Sequence, residues 1–385
     1  MSDGGRIPPG ETAGAGLRVL CVTNMWPGEA DPDFGAFVQS MCGALEREGC
    51  TVEVAAIDRR GGGPLRGVAK YARLAAATVR RARDADVIYA HFLFPTGAIA
   101  TLAGRLAGRP VVVTAHGQDV ANLSRRALRR ATAPVLRRAR TVVAVSGYLA
   151  ERIADAGPAP DRVEIVNMGV DMERFAPAGR AAARSRLGIA PDGPLVLAVG
   201  GLTARKNPLT LLQAFARLRA GSPGARLAFV GDGPLASTVD AGVRHLLLDD
   251  AVIRTGALPH EAVGDWVAAC DVLAMVSRVE PLGVVALEAL AGGRPVVVTE
   301  VGGAREVVPD PEAGRVVDPG DPTAIARALA ELIADPPGPE ACRAAAAPHA
   351  LSVQAAKITA ILRSAAEGPA EPASDPTAQA AGEHP

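Results

Sequence analysis

Short runs of aliphatic and β-branched residues alternate with longer stretches of helical periodicity along this 385-residue chain. The first series reads LRVLCVT, a helix from about Phe34 to Glu48, TVEVAAI, a basic helix, DVIYAHF, a helix, PVVVTAH, a helix, TVVAVS, a helix and VEIVN. Apolar runs this short, separated by helices, are the signature of stacked βαβ units around a parallel sheet. The pattern breaks at DMERFAPAGRAAARSRLGIAPDGP, whose Pro, Gly and Ala content predicts an interdomain linker. A second series follows: LVLAVG, a helix from Pro208, ARLAFVG, a helix, AVIRTG, a helix through Trp266, DVLAMV, a helix carrying Glu288, PVVVTE, GRVVD and a helix from Pro322.

The expected fold class is therefore α/β, with two Rossmann-like halves over residues 17–178 and 185–345. Tandem halves of this kind leave a cleft between the carboxyl ends of their strands, where ligands of such sheets bind. Residues 1–16 and the polar, proline-rich tail over 366–385 are expected to be disordered. No repeat of solenoid period is present.

Composition narrows the classes further. Five cysteines, Cys21, Cys42, Cys50, Cys270 and Cys342, are odd in number and show no CxxC spacing, so neither a disulfide framework nor a zinc site is indicated. A reducing cytoplasm fits. The first residues lack the apolar core of a signal peptide, and no apolar run reaches the length needed to span a bilayer. A soluble or peripheral protein is expected, with no nucleic-acid partner.

Formal net charge is zero, yet the halves differ. Through residue 180 there are 24 Lys and Arg against 18 Asp and Glu; the remainder holds 17 against 23. Much of the basic excess lies in LRGVAKYARLAAATVRRAR and SRRALRRATAPVLRRAR, both amphipathic with Arg on one face. Two readings stay open: a solvated helix face, or peripheral docking on the anionic inner face of a membrane.

Candidate chemistry concentrates at strand ends. Glu280 and Glu288 frame EPLGVVALE between an apolar run and a strand. Two carboxylates so placed suit the hydroxyls of a sugar nucleotide, since eight helical steps advance about 12 Å and leave the side chains about 80° apart. A helix starting near Leu282 would turn the amides of Gly283, Val284 and Val285 toward a diphosphate. An ordinary buried helix, with Glu280 near its cap and Glu288 as a surface charge, is the competing account.

In LAVGGLTARKNPLTLL a glycine turn containing Gly201 precedes Arg205 and Lys206, cations able to neutralise a leaving diphosphate without a metal. The run FVGDGPLAS satisfies G-x-G-x-x-A through Gly231, Gly233 and Ala236. As a lone match it is a poor argument for a dinucleotide cofactor. His116 and Asp119 follow a first-half strand and are expected to face the cleft, where a neutral imidazole could meet a sugar hydroxyl or assist proton transfer. His91 has a similar setting. Gly35 opens the first helix and could approach phosphate. The pairs Asp31/Asp33 and Asp84/Asp86 have D-x-D spacing but lie away from strand ends, as loop or cap residues.

From Leu17 to about Ser364 the chain resembles the retaining glycosyltransferases of the GT-B fold, specifically glycosyltransferase family 4, also called group 1. The resemblance rests on the E-x7-E element with EALAGGRPVVVTEVGGAREVV, the GGLTARKN loop, the VNMGVDMERF segment and the AHGQD turn, in that family's order. It implies that Glu280 contacts donor-sugar hydroxyls, Glu288 the nucleotide ribose and Lys206 the donor phosphate. It also implies that His116 sits near donor sugar and acceptor, and that Gly35 lies in the glycine-rich turn. Many relatives carry arginine where this chain has Gly201, so Arg205 or backbone amides would supply the second positive site. The implied reaction is metal-independent, retaining transfer of a hexosyl group from a nucleoside diphosphate sugar, with a UDP-sugar as first choice. It requires no cofactor and uses a glycan, lipid-linked or small-molecule acceptor. The final helix, about 348–364, is implied to cross back onto the first half. Two rivals remain at this point: a sugar-nucleotide 2-epimerase of the same fold, and a non-catalytic glycan- or partner-binding pair of domains.

Overall fold

A computed structural model describes residues 16–29, 34–59, 61, 63–156, 162–176, 179–308 and 311–368. The expected disordered ends, apart from Gly16 and residues 366–368, lie outside the described residues, as do Asp31 and Asp33. All twelve strands that the hydrophobic pattern predicts are present, and all pair in parallel.

The first half contains β1 (Arg18–Thr23), α1 (Ala36–Arg47), β2 (Thr51–Ala56), α2 (Gly63–Arg81), β3 (Val87–His91), α3 (Thr96–Ala107), β4 (Val111–Ala115), α4 (Gln118–Ala121), α5 (Arg126–Arg138), β5 (Thr141–Ala144), α6 (Gly147–Ala154) and β6 (Val163–Ile165). Its sheet runs β2-β1-β3-β4-β5-β6, with Val19 opposite Val87 and Ile88 opposite Val111. Every residue of β3 and β4 is buried, which is what continuous apolar runs require when helices cover both faces.

The second half contains α7 (Arg180–Arg186), β7 (Leu195–Val199), α8 (Pro208–Gly221), β8 (Arg226–Val230), α9 (Ala236–His245), β9 (Val252–Gly256), α10 (His260–Ala269), β10 (Val272–Met275), α11 (Val284–Ala291), β11 (Val296–Thr299), α12 (Ala304–Val307), β12 (Gly314–Val317), α13 (Pro322–Ala334), α14 (Pro339–Ala346) and α15 (Leu351–Glu367). The strand order is β12-β11-β10-β7-β8-β9. Chain direction across the sheet therefore reverses between β7 and β10, the topological switch point at which ligands of open α/β sheets bind.

Two features of the sequence reading need correction. The segment expected to be a linker is part of the second core: Val170, Phe175 and Ala183 are buried in it, upstream of residue 185. Arg184, in α7, is almost fully buried. Its guanidinium donates to the carbonyl oxygens of Ala269, Pro191 and Gly193 and to Asp271 Oδ2 at 2.7 Å. With its donors met, a buried arginine fastens this segment to the start of β7 and the end of α10. The second correction is at the C-terminus, where α15 continues through Glu367 and so overruns the expected start of the tail.

Helix α15 packs on the first-half core through Leu351, Ala355, Ile358 and Leu362. Each fully buried aliphatic side chain of this size contributes about 1.5–3 kcal/mol gross. Helix α15 is thus held to the first half, and the crossing is pinned where Val170 N donates to His349 O and Leu351 N to Val170 O. Gly169 has φ 75°, and a Cβ there would collide with Leu351.

Candidate active site

A cavity of about 490 Å³ lies between the halves, walled by Phe37, His116, Val145 and Met168 on one side and by Arg205, Lys206, His260, Glu280, the 281–285 segment and Glu288 on the other. Of the sequence-predicted site residues, His116, Arg205, Lys206, Glu280, Leu282, Gly283, Val284 and Glu288 all line it. Gly35 and Gly201 do not. Their chain neighbours Ala36 and Gly200 do.

The second-half wall grows from the switch point. Arg205 and Lys206 sit in the loop after β7, and Glu280 in the loop after β10. Lys206 Nζ donates to Glu280 Oε2 at 2.6 Å, and Ser277 Oγ donates to the same oxygen at 2.9 Å. Arg205 Nη1 stands 4.0 Å from that carboxylate and donates to Val279 O at 3.3 Å. Both contacts to Glu280 from Lys206 and Ser277 fall on Oε2, which leaves Oε1 as an acceptor for a ligand hydroxyl.

The helical spacing argument for the two glutamates does not hold. Helix α11 begins at Val284 behind Gly283, whose φ of 105° is open to glycine and strained for other residues. Glu280 therefore precedes the helix in a loop, while Glu288 lies on it. The loop route still brings both carboxylates to one cavity. In the first turn of α11 Ala286 N donates back to Gly283 O at 2.9 Å, and the helix-start donors that end at the cavity wall are the amides of Gly283, Val284 and Val285. Both glutamates are buried, which excludes the account of Glu288 as a surface charge.

Glu288 has a partner that the sequence reading missed. His260, at the start of α10, places Nε2 2.8 Å from Glu288 Oε1, with the Phe175 ring centred 5.9 Å from the imidazole. The strand-end rule that singled out His116 applies equally to ALPHEAV after β9, so the signal was present.

Gly231 and Gly233 serve packing. A side chain at Gly231 would strike Gly200 O and one at Gly233 would strike the backbone of Leu202, while Leu202 N donates to Asp232 O at 3.0 Å. The G-x-G-x-x-A turn thus braces the GGLTARKN loop from beneath.

The first-half wall is aromatic and uncharged. His116 lies against Phe92 and Phe37, at centroid distances of 4.5 and 5.2 Å. Its Nε2 is 3.1 Å from Nδ1 of His91, which is fully buried. Burial pushes both imidazoles down, His116 to about 3 and His91 well below its ordinary value, where the neighbouring His116 adds to the effect. Both rings are therefore neutral near pH 7, and one N–H is shared between them. His91 Nε2 is buried without a partner among the described residues. An orphaned lone pair is tolerated better than an orphaned N–H, so His91 is the Nδ1–H tautomer and donates to His116 Nε2. His116 then carries its proton on Nδ1, the nitrogen left for the cavity. In that form it presents an N–H to the cavity.

Asp119 does not face the cavity as expected. Its carboxylate is buried under the turn and accepts N–H bonds from Leu93, His116, Gly117 and Val120 at 2.9–3.1 Å. Burial raises its pKa, and the four amides oppose that shift. It shapes the HGQD turn so that His116 points out of it. Asp86 is likewise structural, paired with Arg18 at 2.7 Å. Among the described residues no group of three or more His, Cys, Asp and Glu is arranged to hold a metal ion. No described helix is long and apolar enough to cross a membrane.

Two parallel-sheet halves enclosing a cavity, with fixed cations and a helix N-terminus at the second switch point, define a glycosyltransferase of the GT-B fold. Residues 11–174 match the model of Glycosyltransferase Family 4, and residues 179–348 that of Glycosyl transferases group 1. The chain belongs to this family, group 1, family 4. It is 36% identical over 266 residues to the GDP-mannose-dependent alpha-(1-6)-phosphatidylinositol monomannoside mannosyltransferase of Mycolicibacterium smegmatis, covering 66% of this chain and 68% of that protein. It is 33% identical over 316 residues to D-inositol 3-phosphate glycosyltransferase 1 of Catenulispora acidiphila, covering 76% of this chain and 75% of that protein. The fold is similar to that of Anabaena Alr3699/HepE in complex with UDP, with a TM-score of 0.75 at 21% identity over 90% of this chain and 100% of that one.

Proposed function

We propose that the protein transfers a hexosyl group, with retention of anomeric configuration and without a metal ion, from a nucleoside diphosphate sugar to an acceptor carrying phosphorylated inositol. The observation that supports it most directly is the convergence of Lys206, Arg205 and the α11 N-terminus beside two buried glutamates in one cavity. Breaking the anomeric bond builds negative charge on the departing diphosphate, and preorganised cations and amides stabilise that charge. A unit-charge pair at 4 Å is worth about 4 kcal/mol in a partly screened site. Lys206, held by Glu280, would be shared with the diphosphate once donor binds. Glu280 Oε1 then accepts from sugar hydroxyls, and Glu288, steadied by His260, accepts from ribose. His116 Nδ1–H donates to a sugar or acceptor oxygen.

The inositol-bearing acceptor is supported by the names of the two relatives, one acting on a phosphatidylinositol mannoside and the other on inositol 3-phosphate. Two donor bases have support: uridine, the first choice from the sequence, and guanosine, from the mannosyltransferase relative. Thermal-shift titration with UDP-, GDP-, ADP- and dTDP-sugars separates them, because a ligand bound only by the folded protein raises its melting temperature. The same donors with an inositol phosphate acceptor, with and without EDTA, test transfer and metal independence. Absence of any donor-induced shift, together with no acceptor-dependent release of nucleoside diphosphate, would sink the proposal. The basic faces of α2 and α5 support peripheral contact with an anionic membrane, where a lipid-linked acceptor would be reached. Equal sedimentation with neutral and anionic vesicles would remove that part alone.

A further inference from the structure

At the opposite end of the first sheet from the cleft, a second cavity of about 560 Å³ opens where β4 and β5 begin. Its lining gathers Arg105 from α3, Arg109 from the turn into β4, Arg138 from the end of α5, Arg140 from the turn into β5, and Arg162 from the residue before β6. Among the described residues no carboxylate shares that lining. Among the described residues none of these five arginines enters an ion pair. Two are braced from behind: Arg109 Nη2 donates to Arg83 O at 3.0 Å, and Arg162 Nη1 to Arg137 O at 3.2 Å. Arg109 Nε is buried and unpartnered among the described residues. Asp86 feels the charge of Arg109 but is already held by Arg18.

The ends of α3 and α5 explain only part of this cluster. Two helix C-termini present about −0.5 charge each, against five guanidinium groups. About four positive charges are left around one hollow, which in the absence of a counter-ion repel one another. Guanidinium forks match phosphate oxygens in pairs, and the volume is that of a small-ligand site.

We propose that this cavity binds an anion carrying phosphate groups with at least two negative charges. The site is independent of the cleft: it faces the other end of the sheet and shares no lining residue with it. It also differs from a diffuse basic surface, in that it holds one compact ligand.

The test is calorimetric titration of inorganic pyrophosphate into the full chain at low ionic strength. Lys206→Ala reports on the cleft and an Arg109→Gln/Arg140→Gln pair on the second cavity. The expected result is two binding events per chain, one weakened at least about 10-fold by the paired arginine change through lost charge-assisted bonds, with glycosyl transfer unchanged. Arg105→Gln/Arg138→Gln, two exposed positions, repeats the test without disturbing the braced arginines. Sedimentation with phosphatidylglycerol vesicles distinguishes the source of the phosphate. Loss of vesicle binding in the arginine pairs assigns a lipid headgroup, and pyrophosphate binding by protein that ignores vesicles assigns a soluble phosphate. Pyrophosphate titrations identical in the wild type and both arginine pairs overturn the proposal, whatever Lys206→Ala does.

Discussion

The two walls of the cleft are built from opposite materials. On the second-half wall Lys206, Arg205, Glu280 and Glu288 are ionic, and the first two pair with Glu280 at 2.6 and 4.0 Å. On the first-half wall His116 and His91 are held neutral by burial among Phe37, Phe92 and Tyr89. Among the described residues all the fixed charge able to answer a departing diphosphate therefore stands on one side. The other side offers shape and a single oriented N–H. Polar reorganisation is small when the responding charges are already fixed, which is why such a division suits bond cleavage.

The division predicts unequal losses. Lys206→Ala should lower kcat/KM about 10³-fold, since removing one preorganised electrostatic partner of a developing anion costs about 10²–10³. His116→Ala should cost about 10–100-fold, the range for one oriented neutral donor. Steady-state kinetics of both variants measure the ratio, and a larger loss at His116 would reverse the assignment of roles to the walls. Glu288→Ala should act mainly on donor affinity, raising the donor KM about 10–50-fold by removing a buried acceptor, with a smaller change in kcat.

Much of this arrangement was legible in the sequence, and what was hidden has physical causes. Strand runs such as PVVVT are apolar on both faces, so their burial in a parallel sheet follows from composition, and the strand-end rule then finds Lys206, Glu280 and His116. The 171–194 segment was misread because its Ala, Gly and Pro content is that of a linker, and nothing local reveals that Arg184 finds five protein acceptors once buried. The Glu280–Glu288 spacing suggested a shared helix face. Gly283 instead ends the loop and starts α11, a φ-dependent choice that a spacing count does not see. The His260–Glu288 contact joins residues 28 positions apart and exists only after β9 and β10 have taken their places in the sheet.

The neutral wall makes its own demand on pH. If His91 and His116 stay unprotonated, neither ring should contribute a titration to wild-type kcat/KM between about pH 5.5 and 8. His91→Ala opens the space behind His116 to water, relieves its desolvation and raises its pKa. Activity should then fall about 10-fold at pH 7, from loss of orientation, and further as pH drops below about 6.5. Folding stability carries the same signature. Both histidines have folded pKa values below the unfolded value of about 6.5, so above that pH they add no dependence. As pH falls below it the unfolded chain takes up protons that the native state refuses, and stability declines by at most about 1.4 kcal/mol per pH unit for each histidine. Urea unfolding of the wild type and of a His91→Asn/His116→Asn pair from pH 7 to 4 measures the difference. Equal slopes would mean that the wall is not neutral.

The smallest expected effect concerns how the two walls are kept opposite each other. Glu306 belongs to the second half, yet its carboxylate accepts from Gly147 N at 3.1 Å and Tyr148 N at 3.3 Å, at the N-terminus of α6 in the first half. A carboxylate at a helix start satisfies amides that have no helical partner and complements the positive end of the dipole, worth about 0.3–1 kcal/mol near the surface. Close packing at the same junction sets Gly117 against Pro281 and Gly303 against Ser146, so that no side chain fits at either glycine. Packing therefore carries most of the closure, and the Glu306 contact adds a margin. Glu306→Ala should raise the KM for both substrates about 2–5-fold with kcat nearly unchanged, the size expected from losing about 0.5–1 kcal/mol of closed-state preference. Glu306→Gln keeps an acceptor oxygen for one amide and should recover part of the loss, which a purely electrostatic contact would not allow. A fall in kcat as large as that of Lys206→Ala would mean that closure and bond cleavage are coupled, and the charged wall could no longer be treated as acting alone.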